Sequence, residues 1–401
     1  MKQGWENRTL GDVLDVLRNG VNCKQDKKGV GDKISRIESI SNAYFDIDKV
    51  GFAILSKSDK EKYRLAKGDI LFSHINSPIH VGKTGLFNSD EEVYHGVNLL
   101  LMRPKPFLDG NYFEHFLKFL FQNGYWKGLC KQSVNQASVN QQDINKVKIS
   151  YPKSLPEQKR IVAILDEAFA AIAKAKANAE QNLKNAKELF ESYLQGVFEN
   201  GNWEIKSFNE VCEIASKLID PRKPEFQNFI HVGAGNIESK TGLLSGLKTA
   251  KEENLISGKF LFDESMILYS KIRPYLMKVV NCDFQGLCSA DIYPLKPFEN
   301  LITKDYLYHL LLTKEFTDYA ILGSQRAGMP KVNREHLFAY KLKLPSMKEQ
   351  KSIVKRLDAL QYETKKLENV YQKKINDLEE LKKSILQKAF AGELKTEKEL
   401  A

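Results

Sequence analysis

Three short stretches contain residue types that could do chemistry. Residues 232–236, Val-Gly-Ala-Gly-Asn, could form a glycine-rich loop that holds a phosphate or a nucleotide cofactor. Residues 204–206, Glu-Ile-Lys, have the Glu-x-Lys spacing of many nucleases. His74 and His80 are close enough in sequence to share one loop and a metal ion. Each pattern is short, and each also has an ordinary structural interpretation.

The wider sequence favours the structural interpretation in all three cases. The glycine stretch lacks the third glycine of a dinucleotide loop, and its counterpart in the other half of the chain, residues 37–40, has none. It is therefore predicted to be a turn at a strand end. The Glu-x-Lys pair lacks a suitably placed acidic partner, and no Walker sequence, His-Glu-x-x-His or Asn/Asp-Pro-Pro-aromatic motif occurs. We expect no catalytic residue, no metal and no cofactor on this chain.

The elements that would position a site are organised around a long helix that occurs twice. Ser154 and, 192 residues later, Ser346 each open a Ser-x-x-Glu capping box, which marks a helix start. Apolar residues then recur at steps of three and four, with a stutter at the same place in both copies. At 1.5 Å per residue each helix would be roughly 65 Å long. The matched pair predicts an antiparallel coiled coil.

The residues predicted to pair the two helices share an apolar stripe, which only Thr364 and Lys382 interrupt. They are Ile161, Leu165, Ile172, Leu183 and Phe190 in the first copy, and Ile353, Leu357, Leu367, Ile375, Leu378 and Ile385 in the second.

The repeat extends beyond the helices. Matching segments include 5–13 with 203–211, 68–75 with 265–272, and 139–140 with 332–333. The chain is thus predicted to be a tandem of two similar α+β domains, each followed by a long helix. If the helices pair antiparallel, a pseudo-twofold axis relates the domains, which suits a DNA duplex. The predicted segments are 1–152 (first globular domain), 153–200 (first long helix), 201–345 (second globular domain) and 346–401 (second long helix).

Within each globular domain, short β-branched and aromatic runs predict a mainly antiparallel sheet. The predicted strands include 34–37, 69–72, 97–102, 229–232, 265–269 and 291–295. Two shorter helices are predicted, one at 110–124, which is rich in Phe and Leu, and one at 304–322.

Composition limits the class of protein. The 401 residues are 42% hydrophobic and 28% charged, and no apolar run approaches the ~18 residues of a membrane span. Five scattered cysteines without a C-x-x-C pair argue against a disulfide framework and fit a reducing cytoplasm. The formal charge of +10 is compatible with a polyanionic partner such as nucleic acid. We therefore expect a cytoplasmic protein with no membrane partner.

These residues together resemble the specificity subunit of type I restriction–modification systems. The resemblance rests on the helix start Leu-Pro-Glu-Gln-Lys-Arg-Ile at 155–161, the Gly-Asp-Ile-Leu-Phe-Ser segment at 68–73, the Trp-Glu opening of each half and the tandem order. It covers essentially the whole chain. The second half departs from it at Lys348, where the first has proline, and at residues 265–266, where Ser-Met replaces Gly-Asp.

The resemblance implies a non-catalytic DNA-recognition subunit. Two target-recognition domains would each bind one half of a gapped, double-stranded DNA target, and the helices would set the gap. The helices would also dock two modification (methyltransferase) subunits, which carry S-adenosylmethionine and methylate adenine, and restriction subunits can join. Two alternatives stay open at this point: a stand-alone DNA methyltransferase or nuclease, and a structural coiled-coil adaptor.

In such a protein the polar and basic residues that follow the repeated strand, or precede each long helix, are the candidates for DNA contact. In the first half they are His74, Asn76, His80, Lys83, Thr84, Ser133, Asn135, Gln136, Ser138 and Asn140. In the second half they are Lys271, Arg273, Tyr275, Lys278, Ser324, Gln325, Arg326, Lys331 and Asn333.

Overall fold

A computed structural model describes residues 3–26, 29–133, 136–199, 201–325 and 328–394. The chain divides into two compact units. The first unit comprises Met1–Ala179 with Lys373–Ala401, and the second comprises Glu180–Gln372. Each unit therefore contains one globular domain, the first part of one long helix and the last part of the other.

The first globular domain and its long helix contain the following elements in chain order: β1 (Trp5–Thr9), α1 (Leu10–Val13), β2 (Leu14–Asn19), β3 (Asp32–Ile34), β4 (Gly51–Ala53), α2 (Lys57–Tyr63), β5 (Ile70–Phe72), β6 (Ile75–Asn76), β7 (Thr84–Leu86), β8 (Leu100–Pro104), α3 (Gly110–Gln122), α4 (Tyr125–Leu129), β9 (Lys131–Ser133), β10 (Gln136–Ser138), α5 (Gln141–Asn145), β11 (Lys148–Pro152) and α6 (Leu155–Glu199).

The second half continues with β12 (Glu204–Ser207), α7 (Phe208–Val211), β13 (Cys212–Ile214), β14 (Leu218–Ile219), β15 (Ile230–Val232), β16 (Lys248–Thr249), β17 (Lys259–Phe262), β18 (Ile267–Ser270), β19 (Val279–Asn281), β20 (Gly286–Cys288), β21 (Ile292–Pro297), α8 (Lys304–Leu311), α9 (Lys314–Leu322), α10 (Arg334–Phe338), β22 (Lys341–Leu344) and α11 (Met347–Ala391).

The sheets repeat between the two domains. The four-stranded antiparallel sheet β2-β8-β5-β7 has its counterpart in β13-β21-β18-β19, and the antiparallel pair β1–β11 has its counterpart in β12–β22. The first domain adds the sheets β6-β10-β9 and β3-β4. The second adds a five-stranded sheet, β14-β17-β20-β15-β16, in which β15 and β20 run parallel. The predicted α+β fold with mainly antiparallel sheets is confirmed.

Local sequence explains why the repeat begins in the same way in each half. Thr9 and Ser207 cap α1 and α7, and each takes part in a capping box with the acidic residue three positions later. The backbone N–H of Thr9 donates to Asp12 over 2.9 Å, and that of Ser207 donates to Glu210 over 2.7 Å. Both caps end the strand and turn the chain towards the four-stranded sheet.

The two long helices have the same length and start at matching positions. Both α6 and α11 are 45 residues long, and each starts one residue after its predicted Ser. The second start keeps its capping box, because Ser346 N–H donates to Glu349 over 3.0 Å. No helix in the described ranges is both long and apolar enough to cross a membrane.

The helices pack against one another within each unit. In the first unit Lys176 forms an ion pair of 2.5 Å with Glu379, and Lys382 Nζ lies 5.1 Å from the ring centroid of Phe169. Residue numbers thus rise along α6 as they fall along α11, so the pairing is antiparallel. In the second unit, side chains of both helices line a cavity of about 410 Å³. The predicted coiled-coil pairing is confirmed within each unit.

The predicted pairing residues differ in burial. Ile161, Leu165, Ile172 and Leu357 are buried, Leu367 is exposed, and the partly buried residues are Leu183, Phe190, Ile353, Ile375, Leu378 and Ile385. Thr364 is also buried, at 5% exposure, so it lies on the packed face and does not interrupt it.

Several element bounds differ from the sequence prediction. The strand predicted over 34–37 ends at Ile34, and a 3-10 turn begins at Ile37. The helix predicted over 304–322 is two helices, because Thr313 accepts a hydrogen bond from Phe316 N–H over 3.2 Å and so caps a new start. The strand predicted over 97–102 begins only at Leu100.

Candidate nucleic-acid interface

The two sets of predicted contact residues meet in the second unit. The backbone N–H of Val332 donates to the carbonyl of Lys271 over 2.8 Å, and that of Arg273 donates to Pro330 over 2.9 Å. Ile272 and Lys331 form an isolated antiparallel bridge. The chain that follows β18 is therefore held directly against the chain that precedes α10. We call this meeting point, and its counterpart in the first unit, the strand-end junction.

The first unit has the same strand-end junction. The backbone N–H of Val139 donates to the carbonyl of His74 over 2.9 Å, just as Val332 donates to Lys271. Next to this bond β6 pairs with β10, with Ser138 opposite Ile75. The sequence placed these segments in corresponding positions of the two halves, and the structure brings them together in both.

The two predicted asparagines at the junction have a structural task. Asn140 Oδ1 accepts from Asp143 N–H over 2.8 Å, and Asn333 Oδ1 accepts from His336 N–H over 2.7 Å. They are the N-caps of α5 and α10. Because each amide oxygen is engaged by the backbone, it is not available for a base edge without loss of the cap.

Five predicted residues of the second unit line one cavity of about 440 Å³: Lys271, Ser324, Gln325, Lys331 and Asn333. The sequence prediction missed Tyr293 and Arg334, which line the same cavity. Arg334 is the first residue of α10 and lies next to a predicted residue, so adjacency could have revealed it. Tyr293 lies on β21, and no sequence pattern placed that strand beside the cavity.

The cavity is electrostatically positive. Lys271 is only 9% exposed. Burial lowers the pKa of its ammonium group, and the neighbouring Lys331 lowers that pKa further. Lys331 lies 3.7 Å from the carboxylate of Asp291, which is partly exposed to solvent.

The corresponding place in the first unit is polar but carries different groups. His74 is buried, and its Nε2 lies 3.2 Å from Asn19 Nδ2. Gln141 Nε2 donates to Asn19 Oδ1 over 2.9 Å. Burial lowers the pKa of His74, so the ring stays neutral to lower pH than usual. The sequence prediction missed both Asn19 and Gln141. Asn19 is 55 residues from His74 in the chain, so no local pattern connects the two.

The remaining predicted contact residues are placed as follows. Lys83 Nζ donates to the carbonyl of Ser41 over 2.6 Å, and Lys278 Nζ donates to that of Ala234 over 2.5 Å. Thr84 is fully buried in β7, which removes it from the set of possible surface contacts. Asn76 lies on β6, His80 is partly buried, and Arg273 and Tyr275 are exposed. Asn135 and Arg326 lie outside the described residues, as do the side chains of Ser133 and Gln136.

The stretches considered first for chemistry have structural roles. Asn236 Oδ1 accepts from Gly233 N–H over 2.9 Å, which closes a turn after β15, as predicted. Lys206 forms an ion pair of 2.5 Å with Glu204 on β12. Within the described ranges, no three or more His, Cys, Asp or Glu residues are grouped so as to hold a metal ion.

A buried glutamine attaches the start of each long helix to its globular domain. Gln158 Nε2 donates to the carbonyls of Phe107 and Pro152 over 3.0 and 2.8 Å, and its Oε1 accepts from Asp109 N–H over 2.7 Å. Gln350 makes the equivalent three hydrogen bonds in the second unit. Both glutamines are completely buried.

In the second unit, Gln350 Nε2 donates to the carbonyls of Leu301 and Pro345 over 2.8 and 2.9 Å, and its Oε1 accepts from Thr303 N–H over 2.8 Å. In both units the glutamine thus bonds to two backbone carbonyls and one backbone N–H at equivalent positions. The glutamine fixes the angle at which the helix leaves the domain, because its three bonds join the helix start, the last strand and the start of α8.

A second repeated contact lies about two turns further along each helix. His115 Nε2 lies 2.9 Å from Asp166 Oδ1, and His309 Nε2 lies 2.9 Å from Asp358 Oδ1. Burial lowers the pKa of both imidazoles, although the aspartates oppose that shift. These pairs and the glutamines escaped the sequence prediction, because they join segments about 50 residues apart.

Comparison with known proteins gives this arrangement a class. A family model described as "Type I restriction modification DNA specificity domain" matches the chain twice, at residues 2–184 and 200–379. The two matched regions correspond to the two halves of the repeat. The chain belongs to the type I restriction–modification specificity family. Its function is recognition of the DNA target within a type I restriction–modification complex, and it is a non-catalytic subunit.

Individual relatives agree with this assignment. The chain is 31% identical to a Methanocaldococcus jannaschii protein named as the MjaX specificity subunit of a type I restriction enzyme, over 98% of this chain and 94% of that protein. It is 39% identical to the EcoDI specificity subunit of Escherichia coli over 48% of this chain and 42% of that protein.

Solved structures share the fold. A structure concerned with complex assembly and conformational transition of the type I restriction–modification system superposes with a TM-score of 0.76 at 16% identity, covering 98% of this chain and 99% of that chain. The HsdS subunit of Thermoanaerobacter tengcongensis superposes with a TM-score of 0.61 at 16% identity, covering 98% of both chains.

Proposed function

We propose that each globular domain contacts one half of a gapped, double-stranded DNA target through its strand-end junction. The observation that carries this proposal is the duplication of the junction, in which Val139 bonds to His74 and Val332 bonds to Lys271 in the same way. Two equivalent polar surfaces on one chain suit a target with two half-sites. The lysine and arginine side chains at these surfaces would contact DNA phosphates and so position the protein on the duplex.

The proposed contact set combines the predicted residues with those that the junctions add. In the first unit it contains Asn19, His74, Asn76, His80, Lys83, Ser133, Asn135, Gln136, Asn140 and Gln141. In the second it contains Lys271, Arg273, Tyr275, Lys278, Tyr293, Ser324, Gln325, Arg326, Lys331, Asn333 and Arg334. Among these side chains, Gln suits adenine and Arg suits guanine in the major groove, whereas Asn140 and Asn333 keep their capping role.

The long helices would set the gap and dock two methyltransferase subunits, which hold S-adenosylmethionine and methylate adenine. Restriction subunits would join the same cytoplasmic complex. Support comes from large apolar side chains that α6 and α11 leave exposed. Leu189 and Val370 are each 53% exposed, and Leu381 is 47% exposed. Exposed apolar groups on a helix that already has a packed face are typical of a further protein contact.

The DNA part of this proposal is tested by binding to a pool of gapped duplexes. We expect log affinity to fall with log salt with a slope of several units, because ~6–10 phosphate contacts lose about 10³–10⁵ in affinity between 50 and 200 mM salt. Replacing Arg273 and Lys331 by Ala should weaken binding. Replacing Lys223 and Lys251, which are exposed elsewhere in the second unit, should have little effect.

Two results would contradict the proposal. Association with duplex DNA that does not respond to salt, or no affinity for duplex DNA at all, would favour a structural adaptor. Transfer of labelled methyl groups to DNA by the purified chain alone would mean that the chain is an enzyme. A cleaner definition of the half-sites would come from sequencing methylated bases in cells with and without the gene.

A further inference from the structure

Three cations of the second unit converge on one cavity. Lys271, Lys331 and Arg334 line a space of about 440 Å³ beside Tyr293. The Nζ atom of Lys271 lies 4.8 Å from the centroid of the Tyr293 ring, and Cζ of Arg334 lies 5.9 Å from the same centroid. The ring holds two of the cations near each other, and its own hydroxyl is occupied because it donates to Val332 over 3.2 Å.

The positive charge in the cavity is not balanced by the protein. Lys271 is 9% exposed, yet within the described ranges neither it nor Arg334 has a carboxylate at ion-pair distance. Lys331 lies 3.7 Å from the carboxylate of Asp291, and that carboxylate is 46% exposed. Buried ammonium groups are normally paired, because desolvation without a counter-charge is costly. Three cations and one exposed carboxylate therefore leave room for an anion.

The first unit shows that the junction does not need these cations in order to fold. The backbone bond from Val139 to His74 matches the bond from Val332 to Lys271, so His74 corresponds to Lys271. By the same register Ser138 corresponds to Lys331, and Gln141, the first residue of α5, corresponds to Arg334, the first residue of α10. A neutral set at the same backbone positions supports the same junction. The cations of the second unit therefore serve a purpose other than folding.

We propose that this cavity binds a phosphate group. Lysine and arginine side chains that converge on one point are the usual ligands of phosphate, and Arg334 can offer two parallel N–H donors. The volume exceeds that of a phosphate alone, so the group can be part of a larger molecule. This inference rests on the proposed function only for the source of the phosphate. The source is a backbone phosphodiester of the bound DNA in one case, and a free phosphate or mononucleotide in the other.

The test uses the full chain and a variant that carries the first unit's residues: Lys271→His, Lys331→Ser and Arg334→Gln. A matched control removes three exposed charges from the same unit, with Lys223→Ser, Lys248→Ser and Lys251→Gln. Inorganic phosphate is titrated by calorimetry at pH 8, where an introduced histidine is neutral, and at constant ionic strength. We expect phosphate binding by the wild type and the control, and affinity at least about tenfold lower in the cavity variant.

A second measurement identifies the source. If a DNA phosphodiester is the occupant, the slope of log affinity against log salt should be smaller by about one in the cavity variant than in the control. If phosphate binding is lost but the slope is unchanged, the cavity takes free phosphate. If all three proteins bind phosphate equally or not at all, and their salt slopes agree, the phosphate site is wrong.

Failure of the proposed function would look different. A wild-type chain that does not bind gapped duplexes would overturn DNA recognition through the junctions, while the calorimetric titration would still decide the phosphate site. Arg334→Gln alone provides a further check, because Arg334 is exposed and its replacement should not disturb the fold. Unchanged phosphate affinity in this single variant, together with unchanged affinity in the triple variant, would also overturn the inference.

Discussion

At the scale of single residues, the buried glutamines Gln158 and Gln350 make the same three contacts in the two units. Gln158 and Gln350 each use their one amide to satisfy two carbonyls and one N–H at the start of a long helix. Such a fully satisfied polar group in a core specifies one geometry, because any other angle of the helix would leave buried groups unpaired. The glutamines therefore orient the helices, and no hydrophobic contact could do so with the same selectivity.

We expect Gln350→Ala to lower the free energy of unfolding of the second unit by about 2–4 kcal/mol. The substitution removes the side-chain partner of the Thr303 N–H and of the carbonyls of Leu301 and Pro345. The exposed neighbour Lys351 provides the control, since Lys351→Ala should change stability by no more than about 0.5 kcal/mol. Urea denaturation measures both. Equal stability of the two variants would show that the glutamine is not needed.

Stability should also depend on pH through His95. Burial lowers the pKa of this histidine from 6.5 to about 4. The unfolded chain therefore binds the proton more readily, and the stability contributed by the neutral ring is complete above about pH 6.5 and is lost as pH falls towards about 4. The loss should be about 3 kcal/mol. In urea denaturation between pH 7 and 4.5, His95→Gln should lose less unfolding free energy than the wild type. An identical loss would show that His95 is not the source of the pH dependence.

Residue types alone could identify the junction segments but not the task of each side chain. Asn140 and Asn333 were predicted as candidates for DNA contact, and the structure shows that they cap helices. Both uses favour asparagine, so the type could not separate them. Tyr293 was missed for another reason: its ring faces the cavity only because β21 pairs with β18, and that pairing is not encoded in any local pattern.

At the scale of elements, the apolar stripe predicted the long helices well except at their ends. The predicted pairing residues of the first helix end at Phe190, whereas the structure also buries Leu194 and Phe198 further along α6. The reason is a change of neighbour. The last turns of α6 pack into the core of the second unit, where the ring centroids of Phe198 and Tyr306 are 5.0 Å apart. The end of α11 packs into the first unit, where the ring centroids of Phe390 and Tyr112 are 5.4 Å apart.

Two leucines on α11 allow a direct test of which positions hold the helices in place. Leu357 is fully buried and Leu367 is 40% exposed, although the sequence predicted both as pairing residues. We expect Leu357→Ala to cost about 2–5 kcal/mol of unfolding free energy and Leu367→Ala less than about 1 kcal/mol. Thermal and urea unfolding of both variants would decide. A larger effect at Leu367 would contradict the packing described above.

The whole molecule was largely predictable because duplication makes weak patterns visible. The two long helices have the same length of 45 residues, whereas the globular domains differ in sequence. The matched helices therefore indicated the tandem organisation. The five-stranded sheet of the second domain was not predictable. Its strands have two to four residues each, which is too short for a period of two to stand out.

Shortening both helices by one heptad should change the preferred gap of the DNA target. Removal of residues 175–181 and 367–373 takes roughly 10 Å from each helix, which corresponds to about three base pairs. Duplexes with gaps of graded length measure the preference. The control keeps both helices at full length and replaces exposed helical lysines with glutamine. A shortened protein that still selects the original gap would show that helix length does not set the spacing.

The first unit also contains both the beginning and the end of the described chain. Asn7, Arg8 and Thr9 on β1 line the same cavity as Gln387 and Phe390 on α11. β1 and the end of α11 thus lie close together within the first unit. A circularly permuted gene that joins the present ends by a short linker and opens the chain near Gly201 should therefore yield the same fold. The order in which a cell translates the two reading domains is then a matter of gene arrangement, and either could come first.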